Sequence, residues 1–297
     1  MTWRVGNSSN YRCHGLTFAS EIVLEGADLA ASGAADVTIR IGRGSKRPDK
    51  PLCSGAFFES TRDSYQLDVP TIARYCVHDG TTIEVEPYGE ARSVQHFLLG
   101  SPMAALLLQR GMLVVQGSAV ATSSGAVILA GQTASGKSAL AGAFYRAGWS
   151  LLTDDVCAVG LNPVAVNSGP GFLCLSRRDV DDFKFADVAV ELRSNADRFV
   201  VPVPSAQRGA VPLHAVCFLD SWNEEFTRVA PLTGAARSAA LLSSLYHRPV
   251  AEACFPPMER LRQVSALAQV PCYKVWRPRA TRSIQATMDE ICTALSL

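Results

Sequence analysis

The stretch VILAGQTASGKSALAGAF, Val127 to Phe144, constrains the fold more than any other part of the chain. An apolar run, a glycine-bounded loop and a helix-forming segment follow one another without a spacer. Gly131-Gln132-Thr133-Ala134-Ser135-Gly136-Lys137-Ser138 fits G-x-x-x-x-G-K-[ST], the phosphate-binding P-loop. Gly131 and Gly136 can take backbone angles that a Cβ resists, so the N–H groups from 132 to 138 can turn inward around a phosphate. Lys137 adds a point charge over the β- and γ-phosphates, and Ser138 can offer its hydroxyl to Mg²⁺. The helix opened there, running on through Ala139, points its positive dipole end at the same phosphates. A chance match of the fixed positions is expected in on the order of one chain per hundred of this length. The strand before and the helix after are the context that the motif requires, so residues 131–139 are predicted to bind a nucleoside triphosphate.

Around this loop the chain reads as two units. Before residue 92, short β-leaning runs (GLTFASEIVL, DVTIRIG, GAFFES, SYQLDV, ARYCVHDG, TTIEVEPYG) are separated by Gly, Asp, Pro and Ser clusters. Val37, Ile39 and Ile41 alternate with Thr38, Arg40 and Gly42, as in a strand with one wet face. Arg43 to Pro51, RGSKRPDKP, reads as a solvated loop. From Ser93 the spacing turns helical through SVQHFLLGSPMAALLLQRG. Strands are then predicted at MLVVQGSAVA, AVILAG, WSLLTDDVCAVGL, FVVPVP, LHAVCFLD and CYKVWRP, with helices at KSALAGAFYRAG, near 235–247 and near 281–296. This predicts an α/β fold, with a β-rich unit over 1–92 and a P-loop unit with a helix-covered sheet over 93–297.

Composition narrows the function classes. Lys plus Arg (28) nearly cancels Asp plus Glu (27), so the footprint of a nucleic-acid binder is missing and an anion must be held locally. The nine cysteines are scattered without a C-x-x-C pair, against a zinc site or a disulfide framework. The start of the chain lacks a secretory pattern and no apolar run approaches about 18 residues, so the expectation is a cytoplasmic protein with no membrane partner.

The second candidate element is Leu151-Leu152-Thr153-Asp154-Asp155-Val156, read as a strand ending in a carboxylate pair one helix after the P-loop. The carboxyl end of that strand is expected beside the phosphates. Hydrolytic P-loop proteins need one acidic group there for Mg²⁺. Two adjacent carboxylates allow a division in which one supports the metal and the other faces the γ-phosphate as a base for an acceptor hydroxyl.

Taken in order, LVVQGSAV (113–120), VILAGQTASGKSAL (127–140) and AGWSLLTDDVCAV (147–159) resemble the HPr kinase/phosphorylase family. The likeness is greater to its C-terminal-domain relatives, which include the HPr-kinase-like enzymes of lasso-peptide gene clusters, and LTFASEIVL and VPCYKVWRP also look like those relatives. Phosphoenolpyruvate carboxykinases share the layout more distantly. The resemblance implies a P-loop kinase domain of the HPr kinase/PEP carboxykinase type and ATP-dependent transfer to a serine of a peptide or small protein. In that scheme Asp154 takes the hydroxyl proton, Asp155 and Ser138 serve the metal, and Lys137 acts on the phosphates. The chain departs from the family in two places. Gln116 stands where the family has His and cannot supply an imidazolium, which argues against phosphorolysis. GPGFLCLSRRDVDDF stands where the HPr enzymes carry a glycine-rich signature, which argues against HPr as substrate.

Gln116 and Arg198 are further candidates for phosphate or substrate contacts, with Arg177 and Arg178 behind them. His14, His78, His96, His214 and His247 show no metal-like spacing; His247, in LYHRPV, is the one that could lie near the acceptor. The β-rich unit is expected to recognise substrate or to pack against a second copy of the chain. A nucleotide sensor without transfer, and a small-molecule phosphotransferase or carboxykinase-like enzyme, are the alternatives.

Overall fold

The computed structural model describes residues 8–31, 33–44, 50–192, 197–204, 207–278 and 284–297. Among the described residues nine strands form the first sheet: β1 (Ser9–Cys13), β2 (Leu16–Ser20), β3 (Asp28–Leu29), β4 (Val37–Ile41), β5 (Cys53–Ser54), β6 (Phe58–Ser60), β7 (Ser64–Val69), β8 (Ala73–His78) and β9 (Thr82–Pro87). They lie in the order β3-β1-β2-β4-β9-β8-β7-β6-β5. Each of the six predicted runs contains a strand. Val37 and Ile39 of β4 are buried while Thr38 and Arg40 are exposed, which is the alternation written in the sequence. Residues 45–49 of the predicted RGSKRPDKP loop lie outside the described residues.

The helical stretch after Ser93 is two helices, α1 (Ala91–Leu98) and α2 (Ser101–Gln109), where the spacing suggested one. Pro102 accounts for the break: it lacks an N–H and is tolerated in a first helical turn, so a new helix starts there after Gly100. Every residue of α2 from Pro102 to Leu108 is buried. A helix apolar on all sides must be covered on all sides. One face meets β7, β8 and β9, and another meets β10 (Leu113–Thr122) and β13 (Val156–Leu161). A single core therefore runs from Phe18, Ile39 and Tyr75 through Met103 and Leu107 to Val114 and Val156.

The second sheet is built on β10, β11 (Gly125–Gly131), β12 (Ser150–Thr153), β13, β14 (Val164–Asn167), β18 (Ala210–Trp222), β19 (Arg228–Pro231) and β20 (Cys272–Pro278). The thirteen-residue β18 ties it together: its start pairs with β14, its middle runs parallel to β11 and its end parallel to β20. A third sheet comprises β15 (Phe172–Ser176), β16 (Val190–Glu191) and β17 (Arg198–Pro202), in the order β15-β17-β16, with α4 (Arg177–Asp182) after β15. Helices α3 (Lys137–Arg146) and α8 (Ile284–Leu295) cover one side of the second sheet, sharing a core with β11, β15 and β17. Helices α5 (Gly234–Ser243) and α7 (Pro257–Leu267) cover the other side. The result is a mixed α/β architecture with several sheets. Among the described residues no helix is long and apolar enough to cross a membrane.

Two boundaries differ from the sequence reading. WSLLTDDVCAVGL is two strands, β12 and β13, with Asp154 and Asp155 in the bend between them. The helix expected near 235–247 ends at Ser243; Leu245 then bridges to Val115, and α6 (Arg248–Cys254) starts after His247, whose φ is 45°. That bridge turns Tyr246 toward the carboxylates. Residues 281–283 of the predicted last helix lie outside the described set.

Candidate active site

The loop leaves β11 at Gly131 and enters α3 at Lys137. Gly131 is packed so closely that a Cβ there would stand 2.7 Å from the Leu219 carbonyl oxygen. Gly136 has φ 89°, and a Cβ on it would run into the guanidinium of Arg277. Arg277, on β20, donates to the Ser135 carbonyl at 2.8 Å and so braces the loop from outside. Lys137 is only 9% exposed, and its Nζ donates to the carbonyls of Gly131 (3.0 Å) and Gln132 (2.8 Å). Burial lowers the pKa of this amine, while Asp155 and Asp154 act to raise it. Gln132, Thr133 and Ala134 form the exposed crest, and Ser138 and Ala139 open the helix.

The two carboxylates are placed by different elements. Asp154 is 6% exposed. Its Oδ1 accepts from Ser118 Oγ on β10 (2.5 Å) and from Ser138 Oγ (2.9 Å), and its Oδ2 accepts from the backbone N–H of Cys174 on β15 (2.9 Å). Asp155, at φ 71°, turns the other way: its Oδ2 accepts from Tyr246 Oη at 2.8 Å, and Gln116 lines the same cavity wall. Burial pushes both carboxyl pKa values up; the hydrogen bonds oppose this in both, and the Lys137 ammonium also does so at Asp155. The carboxylate bonded to the P-loop serine is thus Asp154, where the resemblance placed Asp155 on the metal side.

Two cavities meet at this pair. One, of about 280 Å³, is walled by the loop, Lys137 and Gln116. The other, of about 230 Å³, is walled by His96, Gly100, Ser101, Phe172 and Tyr246. Ser138, Asp154, Asp155, Cys174 and Arg198 line both. A group held in the first cavity and a group held in the second would face each other across two carboxylates and one guanidinium.

The structure therefore gathers Gln116, the loop residues, Lys137, Ser138, Asp154, Asp155 and Arg198. It does not gather Arg177, whose guanidinium lies over the Phe199 ring at 3.9 Å, or Arg178, which pairs with Asp182 in solvent. His247 bonds to Ser101 Oγ at 2.7 Å and its ring packs on Phe58 and Tyr65, one residue removed from the group that reaches Asp155. Ser118, Tyr246 and Arg277 are not among the sequence candidates, and His96 enters there only as a metal ligand that its spacing argues against. Ser118 had a signal, since it stands two residues after Gln116 on a strand and so shares its face; Tyr246 and Arg277 had none. The oxygen donors at Ser138 and the carboxylates suit a hard cation such as Mg²⁺, which takes one or two protein carboxylates together with substrate phosphates.

No family model matches the chain, and no curated protein matches it. Among solved structures, the HPr(Ser) kinase/phosphatase from Coxiella burnetii aligns with 11% identity over 61% of this chain and 88% of that one, at a TM-score of 0.30. At those values the structural resemblance is weak.

Proposed function

We propose that the chain is an ATP-dependent phosphotransferase that moves the γ-phosphoryl group to a hydroxyl, the acceptor being a serine of a peptide or small protein. The supporting observation is the pair of cavities that share the Asp154–Asp155 wall. A hydrolase needs room for a water; a transferase needs a second compartment for its acceptor. Phosphoryl transfer asks the protein mainly for position and charge neutralisation, which Lys137, Ser138 and Arg198 can provide. Mg²⁺, when bound, supplies charge neutralisation on the phosphate oxygens, and Ser138 with Asp154 would hold it.

The hydrogen bonds favour a division of labour opposite to that implied by the family resemblance. Asp154 has both oxygens engaged by Ser118, Ser138 and the Cys174 N–H, which suits a fixed metal-side group. Asp155, oriented by Tyr246 through one of its oxygens, is the better base for the acceptor proton. A narrower version has a lasso-peptide precursor as acceptor. A small-molecule alcohol is the second reading, favoured by the modest volume of the acceptor chamber and by Arg198 and His96 in its wall.

Transfer from γ-labelled ATP to serine peptides and to small alcohols, read by mass, tests this. Asp155→Asn is expected to lower transfer by about 10²–10⁴-fold with ATP affinity nearly unchanged, and Asp154→Asn to weaken Mg²⁺-dependent ATP binding as well. Wild-type turnover in Asp155→Asn would overturn the base assignment. ATP bound without label reaching any hydroxyl would leave a nucleotide sensor.

A further inference from the structure

A third cavity, of about 1050 Å³, lies on the far side of the P-loop from the acceptor chamber. It shares Gln116, Thr133 and Ala134 with the phosphate cavity, while the acceptor chamber shares none of these three. The three compartments thus stand in series: large groove, phosphate cavity, acceptor chamber. The phosphate cavity has two ends, and its carboxylate end, carrying Lys137 and Ser138, suits the phosphate that is transferred. A triphosphate lying with its γ-group there has its other end directed at the Gln116–Thr133–Ala134 wall, and the groove opens directly beyond that wall.

Topology supports the same placement. Strands β11, β18 and β20 run parallel, with Gly131 opposite Leu219 and Leu219 opposite Val275. Ligands of open α/β sheets bind in the crevice outside the carboxyl ends of such strands. The groove is that crevice, lined by Asp220, Ser221 and Trp276 from just past this level. Its volume lies just above the roughly 300–1,000 Å³ of small-molecule sites. Its opposite wall is α5, which presents Ala236, Ala239 and Ala240 and therefore keeps the slot wide. The chemistry is mixed in the way a nucleoside requires. Leu219, Leu232 and the alanines offer apolar surface to a base, and Trp276 is held by stacking on Trp222 at 5.9 Å. The Asp220–Lys274 ion pair, 2.7 Å, sets a polar group at the rim within reach of sugar hydroxyls.

We infer that this groove, between the P-loop and α5, binds the nucleoside part of the triphosphate, leaving the carboxylate-side chamber to the acceptor alone. The inference rests on the proposed ATP-dependent transfer. Inorganic tripolyphosphate, which has phosphates and no nucleoside, separates the two. Calorimetric titration of the wild type with Mg²⁺ present is expected to give ATP tighter than tripolyphosphate. Ala239→Trp, at an exposed position of α5, is expected to lower ATP affinity by about 10-fold or more while leaving tripolyphosphate unchanged. Ala236→Trp, one turn earlier, serves as the independent variant, and retained tripolyphosphate binding certifies the fold of each. Equal affinity of the wild type for both ligands, or wild-type ATP affinity in both variants, would overturn the groove assignment. Failure of the wild type to bind either ligand would instead overturn the ATP-dependent reading beneath it.

Discussion

The P-loop and the carboxylate bend lie side by side in the structure but are made in different ways. The loop is local: its shape follows from Gly131, Gly136 and the helix opened by Lys137, all within eight residues. The bend is assembled from a distance, since Asp154 is fixed by Ser118, 36 residues earlier, and Asp155 by Tyr246, 91 residues later. A motif defined by backbone conformation declares itself in sequence. A pair of carboxylates acquires its roles only from its partners.

Substitutions that strike one region and spare the other test this contrast. The largest effect is expected from Gly136→Val, which combines positive φ, a β-branched side chain and collision with Arg277; ATP affinity in a titration should fall by about 100-fold or more. Combining it with Arg277→Ala should recover part of that loss, because the collision goes and the backbone strain stays. Tyr246→Phe strikes the bend alone. It removes a hydrogen bond that holds the Asp155 pKa down against burial, so the acid limb of the pH–rate profile should move to higher pH. A loss that is larger at acid pH than at alkaline pH, with ATP affinity unchanged, is the expected pattern. A uniform loss at both pH values would mean that the tyrosine only packs.

A separate acid limb concerns stability and not the reaction. His14 is fully buried against Gly169 and Thr153, next to the bend strand, and neither ring nitrogen has a hydrogen-bond partner among the described residues. Burial lowers its pKa from 6.5 to about 4. A histidine held neutral in the fold contributes stability that is present above pH 6.5 and lost as pH falls toward 4, of order 3 kcal/mol in full. Chemical denaturation should show this slope in the wild type and a flatter one in His14→Leu. A Tyr246→Phe shift that survives in the His14→Leu background belongs to Asp155 and not to unfolding.

Much of the strand pattern was legible because alternation survives wherever one face is wet, as at Val37 to Ile41. The P-loop was legible for the reason given above. The split at Pro102 could have been read from proline chemistry, but the continuous apolar run through Leu108 concealed it. Arg198 stood out only as one of several arginines; its place between two cavities depends on β17 pairing with β15, which no local signal encodes. Arg277 was invisible for the same reason, 142 residues from the carbonyl it braces.

Helix α2 carries one more consequence. Because it is buried both by the first sheet and by the strands behind the carboxylates, neither side owns it. Cutting the chain near residue 92 would leave the portion that carries the P-loop with an apolar rod exposed along its flank, an aggregation liability. The first sheet is then an obligate lid on that helix, and a shortened gene starting at residue 93 should put a larger share of its product into inclusion bodies than the full-length gene does.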